Sequence, residues 1–151
     1  MFEKCEKIGM RNPPITEYLA YLLAQADRQV NRQLDARLRA SGVPVEQWRI
    51  LKVLSDKNGS SMGDLADAVL MNHPTLTKII DRMVSTALVY RRPDPLDGRR
   101  VLIFLSDRGR ELVTELDGMA IRHQAEIVSS YGDDKAAQLK HLLEHFILRT
   151  A

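Results

Sequence analysis

The connection between two short helical patterns in the middle of the chain constrains the fold more than any other feature. Residues 60–71 read SSMGDLADAVLM and residues 72–88 read NHPTLTKIIDRMVSTAL, so only about three residues, from Leu70 to Asn72, separate the two helices. Two helices joined this tightly are typical of a helix-turn-helix. Serines begin the first pattern and can cap it, and Asn72 or His73 can cap the second.

The second helix of this pair has one apolar face and one polar face. Its apolar residues recur at i, i+3, i+4 and i+7, which places them on one side of the helix; they are Leu76, Ile79, Ile80 and Met83. The first turn and the other side hold His73, Pro74, Thr75, Thr77, Lys78 and Arg82. Pro74 costs little in a first turn, because the N–H that it lacks has no helical partner there. These residue types suit a helix that lies in the major groove of DNA. Thr can bond base edges or phosphates, Lys can bond guanine O6 and N7, and Arg82, one turn further on, suits a phosphate.

A strand-turn-strand pattern follows at once. Residues 88–92 (LVYRR) and 100–106 (RVLIFLS) have strand composition, and the stretch RRPDPLDGRR, from Arg91 to Arg100, spans their connection. Five consecutive apolar residues in the second strand predict that it is covered on both faces, or that its outer face packs on a neighbouring element. The connection is longer than a two-residue turn, so we expect an open and mobile tip.

Positive charge is concentrated in this part of the chain. The segment 72–100 holds six Lys or Arg against three Asp, a net charge of +3, whereas the whole chain carries +2. A solvated turn requires Pro, Asp and Gly, but it does not require the arginines at 91, 92, 99 and 100. Such a local excess is what an anion-binding surface requires. The structural alternative is that the arginines pair with neighbouring acids such as Asp94 and Asp97.

Long amphipathic helices flank this region on both sides. Apolar residues recur at helical spacing over about 15–40 and again over 107–149, where two helices are predicted. A shorter helix precedes the central pair, so the order is α-α-α-α-β-β-α-α, mainly α with a small β-hairpin. We expect one domain over 1–151 with a compact lobe at about 44–105. A small core cannot cover the apolar faces of the flanking helices, which predicts a homodimer.

Several protein classes are disfavoured by composition and pattern. No apolar run approaches the roughly 20 residues of a membrane span, and the N-terminal residues resemble no secretory signal. A single cysteine, Cys5, fits a reducing cytoplasm. No nucleophile–base arrangement or phosphate loop indicates an enzyme, and no cofactor is expected. His141 and His145 have the i, i+4 spacing of a metal pair, but a solvated or interface helix face is favoured over a metal site. His123 stands alone and is expected to be exposed.

The segment LADAVLMNHPTLTKIIDRMVSTALVYRRPDPLDGRRVLIFLSDRGREL, residues 65–112, resembles the core of the MarR family of transcriptional regulators. The family pattern is a Leu-Ala helix, a Thr-rich recognition helix, a GLV-R step, an Asp-x-Arg wing and an LT-x-x-G opening of the next helix. The matching residues are Leu65-Ala66, Thr75-Leu76-Thr77, Leu88-Val89, Arg91-Arg92, Asp94, Asp97-Gly98-Arg99 and Leu105-Ser106 with Gly109. The resemblance covers nearly the whole chain, and EQWRILKVL at 46–54 matches the second helix of the family.

The resemblance implies a winged helix-turn-helix carried by terminal dimerisation helices, in a cytoplasmic homodimer that binds a palindromic operator in double-stranded DNA. The recognition helix would enter the major groove and the wing the minor groove, where Arg99 falls on the wing-tip arginine and Asp97 on the acid that braces the wing. Arg91, Arg92 and Arg100 are further candidate DNA contacts. The resemblance also implies repression that is relieved by a small phenolic or aromatic effector, or by oxidation of a thiol.

The chain departs from the family pattern at the end of the recognition helix. Ala87 stands where the family usually has Gly. If that position requires a positive φ, Ala costs about 1 kcal/mol. We therefore expect this helix to end slightly differently from those of its relatives.

The sequence leaves the effector and two alternative functions open. Tyr18, Tyr21 and Trp48 are aromatic candidates for a ligand pocket, although aromatic residues at helical spacing more often belong to a core. Arg28 or Arg49 can hold a carboxylate, and the sequence does not choose between them. Cys5 allows a thiol-responsive regulator, against which its place before the proline pair counts. A winged helix used for protein–protein contacts would require an apolar outer face on the recognition helix, which this chain lacks.

Overall fold

The computed structural model describes residues 12–151, and Cys5 lies outside the described residues. The α-helices in this part of the chain are α1 (Leu19–Arg39), α2 (Val45–Asp56), α3 (Met62–Val69), α4 (His73–Ser85), α5 (Asp107–Tyr131) and α6 (Asp133–Thr150). The strands are β1 (Ser60–Ser61), β2 (Val89–Pro93) and β3 (Val101–Leu105). The predicted order of helices and of the two wing strands is confirmed. None of the helices in residues 12–151 is both long and apolar enough to cross a membrane.

The helix predicted over 15–40 is interrupted near its start. Ile15–Glu17 form one 3₁₀ turn, and Tyr18 is extended before α1 begins. At the other end Gly42 has a φ of +73°, a conformation that glycine adopts without steric cost. Its N–H donates to the carbonyl of Arg39 at 2.9 Å, which closes the end of α1 and turns the chain toward α2.

The tight joint between α3 and α4 confirms the predicted helix-turn-helix. The Ser61 hydroxyl accepts the N–H of Asp64 at 3.2 Å and caps α3, and the Asn72 side chain accepts the N–H of Thr75 at 2.9 Å and caps α4. Between the two caps, Leu70 reverses the chain with a φ of +58°. That conformation is uncommon for a residue with a Cβ, and it completes the turn within three residues.

The sheet has a third strand that the sequence did not predict, so the order α-α-α-α-β-β-α-α was incomplete. β1 pairs antiparallel with β3, with Ser60 opposite Ile103, and β3 pairs with β2, with Val89 opposite Leu105. The spatial order is therefore β1-β3-β2. β1 is only two residues long, which is too short to show the alternating pattern of a strand. Its serines directly precede α3, so their composition indicates the start of a helix instead.

The two faces of β3 are covered to different degrees. Ile103 and Leu105 are fully buried against the core. On the opposite face the rings of Phe104 and Tyr90 stack with centroids 5.5 Å apart. Val101, on the same face as Ile103 and Leu105 but near the wing tip, is 45% exposed. The expectation of a strand covered on both faces is thus correct near its base and wrong near its tip, where no element of the described chain packs.

One hydrophobic core supports α4. Its largest fully buried side chains are Leu38, Ile50, Leu51, Leu65, Leu76, Ile80, Met83, Val89, Ile103 and Leu116. Leu38 belongs to α1 and Leu116 to α5, so the core extends beyond the predicted lobe of 44–105. The core that holds the apolar face of α4 therefore also includes residues of both flanking helices.

α1 and α5 are joined at a second place, further from the lobe. His123 is 3% exposed, and its Nε2 lies 3.2 Å from the carbonyl oxygen of Val30. An ion pair also joins Arg37, seven residues after Val30 in α1, to Glu126, three residues after His123 in α5. The expectation that His123 is exposed was wrong, because its burial depends on α1, which is far away in sequence.

The outer parts of α1, α5 and α6 leave apolar side chains uncovered. Those that are at least one third exposed are Leu19, Leu22, Leu23, Val30, Ile121, Tyr131, Leu139, Leu142, Phe146, Ile147 and Leu148. Burial of a side chain such as Leu or Phe stabilises by about 1.5–3 kcal/mol, so a surface of this kind is unfavourable in water when it has no partner.

Candidate nucleic-acid interface

The burial of α4 on one side leaves its polar side free. Leu76, Ile80 and Met83 are at most 1% exposed, so they fix the rotation of the helix about its axis. The residues predicted for the other face are all exposed: His73, Pro74, Thr75, Thr77, Lys78 and Arg82. The structure therefore brings the predicted contacts of the recognition helix onto one continuous surface.

The hydrogen bonds of α4 divide its polar residues into two kinds. The Thr77 hydroxyl donates to the carbonyl of His73 at 2.9 Å, which leaves its oxygen as an acceptor only. By contrast, Lys78 and Arg82 form no ion pair within residues 12–151. Their donors are available to an external anion.

The wing tip is an organised turn rather than an open loop. Two aspartates accept main-chain N–H groups within it: Asp94 Oδ1 from Leu96 at 2.9 Å, and Asp97 Oδ1 from Arg99 at 3.1 Å. The N–H of Asp94 also donates to the carbonyl of Arg100 at 2.8 Å and closes the turn. These bonds explain why two aspartates are present in an arginine-rich stretch. An aspartate carboxylate that accepts the main-chain N–H two residues further along stabilises a turn.

The four wing arginines have different surroundings. Arg91 forms an ion pair with Asp81 of α4, and Arg100 lies 3.7 Å from Asp64 of α3. Arg92 and Arg99 are exposed and have no acidic partner in the described part of the chain. The arginines therefore do not pair with Asp94 or Asp97 inside the turn, as the structural alternative had it. Arg91, and at a longer distance Arg100, pair instead with acids of α4 and α3, while Arg92 and Arg99 keep their full charge for an external partner.

The chain leaves α4 through an alanine in the left-handed conformation. Ala87 has a φ of +56°, so the expectation that the helix ends differently here was wrong. The N–H of Ala87 donates to Val84 at 3.0 Å and that of Leu88 to Met83 at 2.9 Å, the pair of bonds that defines a Schellman motif. The motif requires a positive φ whichever residue occupies the position.

A contact that the sequence did not predict ties the end of α4 to the start of α5. The Ser106 hydroxyl, which caps α5, also donates to the carbonyl of Ala87 at 2.7 Å. The Arg108 guanidinium donates to the carbonyl of Thr86 at 3.1 Å. Arg108 lies in the first turn of α5, where the helix dipole disfavours a cation, but it also lies at the C-terminus of α4, where the dipole favours one. A cation in the first turn of a helix is unusual, and this feature of the sequence could have indicated that Arg108 binds a group outside α5.

The predicted effector residues do not form one site within a single chain. Arg49 donates to the side chain of Asn31 at 2.6 Å, and Trp48 is half-buried with an Nε1–H that has no partner in the described residues. Tyr18 is exposed, and Tyr21 lies ten residues before Asn31, about 15 Å along α1. Trp48 and Arg49 are consecutive residues of α2, and the tyrosines belong to the distant end of α1.

The histidine pair on α6 does not gain further ligands. The rings of His141 and His145 are 6.5 Å apart. Among the described residues, no group of three or more His, Cys, Asp or Glu side chains can hold a metal ion.

Comparison with known proteins places this architecture in one family. A profile of the MarR family matches residues 41–100. The homoprotocatechuate degradative operon repressor of Escherichia coli is 32% identical over 102 residues, which cover 68% of this chain and 69% of that protein.

Solved structures agree over nearly the full length. A MarR family transcriptional regulator of Silicibacter pomeroyi has a TM-score of 0.82 and 31% identity, covering 93% of this chain and all of that one. NadR, solved in complex with 4-hydroxyphenylacetate, has a TM-score of 0.76 and 27% identity, covering 91% of this chain and 97% of that one. The chain thus belongs to the MarR family of transcriptional regulators, DNA-binding proteins with a winged helix-turn-helix.

Proposed function

We propose that this protein is a repressor that binds a palindromic operator as a homodimer, with α4 in the major groove and the wing in the flanking minor groove. One observation carries the proposal: Lys78, Arg82, Arg92 and Arg99 have no acidic partner within residues 12–151, and all lie on α4 or the wing. The major groove of B-DNA admits an α-helix, and Lys and Arg side chains bind its phosphates. Unpaired cations on α4 and on the adjacent hairpin are therefore suited to contact a DNA duplex.

Individual residues of this surface have distinct proposed roles. His73, Pro74 and Thr75 form the first turn of α4, the part that approaches base edges in a helix-turn-helix. Thr77 and Lys78 follow on the same face, and Arg82 suits a phosphate. At the wing, Asp97 holds the turn that presents Arg99, because an arginine is favoured in a narrow A·T-rich minor groove. Arg91, Arg92 and Arg100 lie at the base and side of the wing, where phosphates flank that groove.

The exposed apolar residues of the flanking helices support the homodimer. They lie in α1 and α6 and at the far end of α5, away from α4 and the wing. A second copy that covers them would place two winged lobes side by side, and two-fold symmetry then requires a palindromic site. In this arrangement residues 44–105 bind DNA, while residues 15–40 and 107–149 dimerise.

An aromatic acid is the effector class that the relatives support. NadR was solved with 4-hydroxyphenylacetate, and the Escherichia coli relative represses a homoprotocatechuate degradative operon. In this chain, the buried Nε1–H of Trp48 is a donor without an acceptor among the described residues, and the following residue of α2 is the cation Arg49. A carboxylate or phenolic oxygen would satisfy that donor, and an unsatisfied buried donor costs about 1–3 kcal/mol. Tyr18 and Tyr21 could reach such a ligand only from the partner subunit.

DNA selection followed by a salt titration tests the proposed function. The wild-type protein is incubated with random duplexes, and the dissociation constant of the selected duplex is measured between 50 and 200 mM salt, the range in which about 6–10 phosphate contacts change affinity by about 10³–10⁵. We expect an enriched palindrome, a steep salt dependence and a sedimentation mass twice the 17.2 kDa of the chain. Failure to enrich any sequence, or binding that is insensitive to salt, would contradict the proposal.

A further inference from the structure

Asp35 connects the end of α1 to the start of α2. Its Oδ1 accepts the N–H of Val45, the first residue of α2, at 3.0 Å. Its Oδ2 accepts a hydrogen bond from Nε of Arg39 at 2.5 Å. One carboxylate therefore holds the first turn of α2 and the guanidinium of Arg39 side by side.

The contact with Asp35 uses only one of the donors of Arg39. A guanidinium has five N–H groups in a planar fork, and Nε carries one of them. The terminal Nη1 and Nη2 atoms form no hydrogen bond or ion pair with any residue of 12–151, and the side chain is 62% exposed. Asp35 thus fixes the orientation of the fork and leaves its outer edge, which is suited to bidentate oxyanions, unoccupied.

That outer edge borders a cleft shared with the recognition helix. The cleft has a volume of about 550 Å³ and lies between the start of α2 and the exposed face of α4. Its lining contains Arg39, Lys78 and Arg82 as cations, Glu46 as the one acid, and Thr75 and Gln47 as polar residues. With Asp35, which pairs with Arg39, three cations stand against two acids, a net charge of +1 that favours an anion. The two cations without an acidic partner, Lys78 and Arg82, already belong to the proposed DNA surface.

We propose that Arg39 binds a phosphate of the DNA backbone beside the major groove that α4 enters. The inference rests on the proposed function and adds to it a contact from α1, outside the helix-turn-helix and the wing. A purely structural role does not account for this residue, because an exposed i, i+4 ion pair contributes little to stability. The bond between Asp35 and Val45 also does not involve Arg39, so α2 remains capped without it. Phosphate contacts set position and affinity and carry no sequence information, so Arg39 should act equally on all duplexes.

Arg39→Gln tests the contact, with Arg122→Gln as the matched control. Arg122 is exposed on α5, so the control removes the same charge away from the cleft, and sedimentation must show that both variants remain dimeric. For the duplex selected by the wild-type protein, we expect the slope of log affinity against log salt to fall by about 0.9 per protomer in Arg39→Gln. The affinity for an unrelated duplex should fall by the same factor, while Arg122→Gln leaves both unchanged. Arg39→Lys should restore the slope, because a single charge suffices for counterion release.

The outcomes separate this contact from the proposed function. If the wild-type protein selects a duplex but Arg39→Gln keeps the wild-type slope, or if Arg122→Gln lowers the slope equally, the Arg39 contact is refuted and the regulator is not. If the wild type binds no duplex, the proposed function itself fails. If Arg39→Gln lowers the unfolding midpoint, Glu46→Gln provides the test, because it removes the acid that lines the cleft with Arg39. Tighter DNA binding by Glu46→Gln at low salt supports the contact, and unchanged affinity overturns it.

Discussion

Gly109, in the first turn of α5, lies directly against the main-chain carbonyl of Leu88, which begins the wing. A Cβ at position 109 would stand 2.2 Å from that oxygen. The same oxygen accepts the N–H of Ser106 at 3.1 Å, and the Ser106 hydroxyl oxygen, which donates to Ala87, lies 3.0 Å from it. The dimerisation helix therefore starts on the segment through which the chain leaves the recognition helix, and no side chain fits between them.

This close approach predicts the effect of Gly109→Ala. The added methyl group meets main chain rather than a movable side chain, so we expect the free energy of unfolding to fall by about 1–3 kcal/mol. Gly118→Ala, in the same helix, is the control, because a Cβ there has no atom within 4 Å. Alanine has the higher helix propensity, so the control should gain up to about 1 kcal/mol. Urea unfolding measures both, and equal effects would contradict the contact.

The left-handed conformation of Ala87 predicts that Ala87→Gly stabilises the protein. Glycine adopts the φ of +56° without the steric cost that a Cβ carries. We expect a gain of about 0.5–1 kcal/mol in the free energy of unfolding. The relief of steric strain is partly offset, because glycine loses more conformational entropy on folding than alanine does. Ala125→Gly, at an exposed position within α5, should instead lose about 1 kcal/mol. A loss at both positions in thermal unfolding would show that residue 87 is not left-handed.

The unpaired charge of Arg99 predicts a loss of DNA affinity without a loss of stability. Arg99→Ala should weaken binding of the selected duplex by about 1–3 kcal/mol per lobe, with the larger effect on A·T-rich flanks. Arg91→Ala should cost less, because Asp81 already occupies a terminal Nη atom of Arg91, whereas Asp35 uses only Nε of Arg39. Arg149→Ala, at the end of α6, serves as the control for charge. An Arg99→Ala protein with wild-type affinity would remove the wing tip from the interface.

The hydrogen bonds of Asp35 predict a specific pH dependence. Arg39 first, and then the N–H of Val45, hold the pKa of the Asp35 carboxyl below its ordinary value of 3.8. The ionised carboxylate therefore stabilises the folded state at pH values above 3.8, and this contribution disappears as the pH falls through the lower folded-state pKa. We expect Asp35→Asn to be less stable than the wild type in urea at pH 6, and we expect the difference to shrink as the pH is lowered below 3.8. A difference that stays constant with pH would contradict the ion pair, as would an NMR titration midpoint of Asp35 at or above 3.8.

Local residue patterns were enough to identify the elements that carry the site. Leu76, Ile80 and Met83 repeat with the helical period, and Asn72 is a capping residue, so α4 and its exposed face follow from neighbouring residues alone. The turn residues of the wing and its excess of arginine were equally evident. These features depend on interactions that span only a few positions along the chain.

Tertiary structure decided how those residues are used. Whether a wing arginine is paired depends on Asp81 and Asp64, which lie on other elements, and the burial of His123 depends on α1. The strand β1 exists only because β3, more than forty residues later, offers its edge to two serines. The sequence by itself determined a basic helix-turn-helix with a wing, because helical period, caps and turns are local. Only the fold decided which charges remain free and that Arg39 faces the recognition helix, because those outcomes depend on groups that the chain brings together from distant positions.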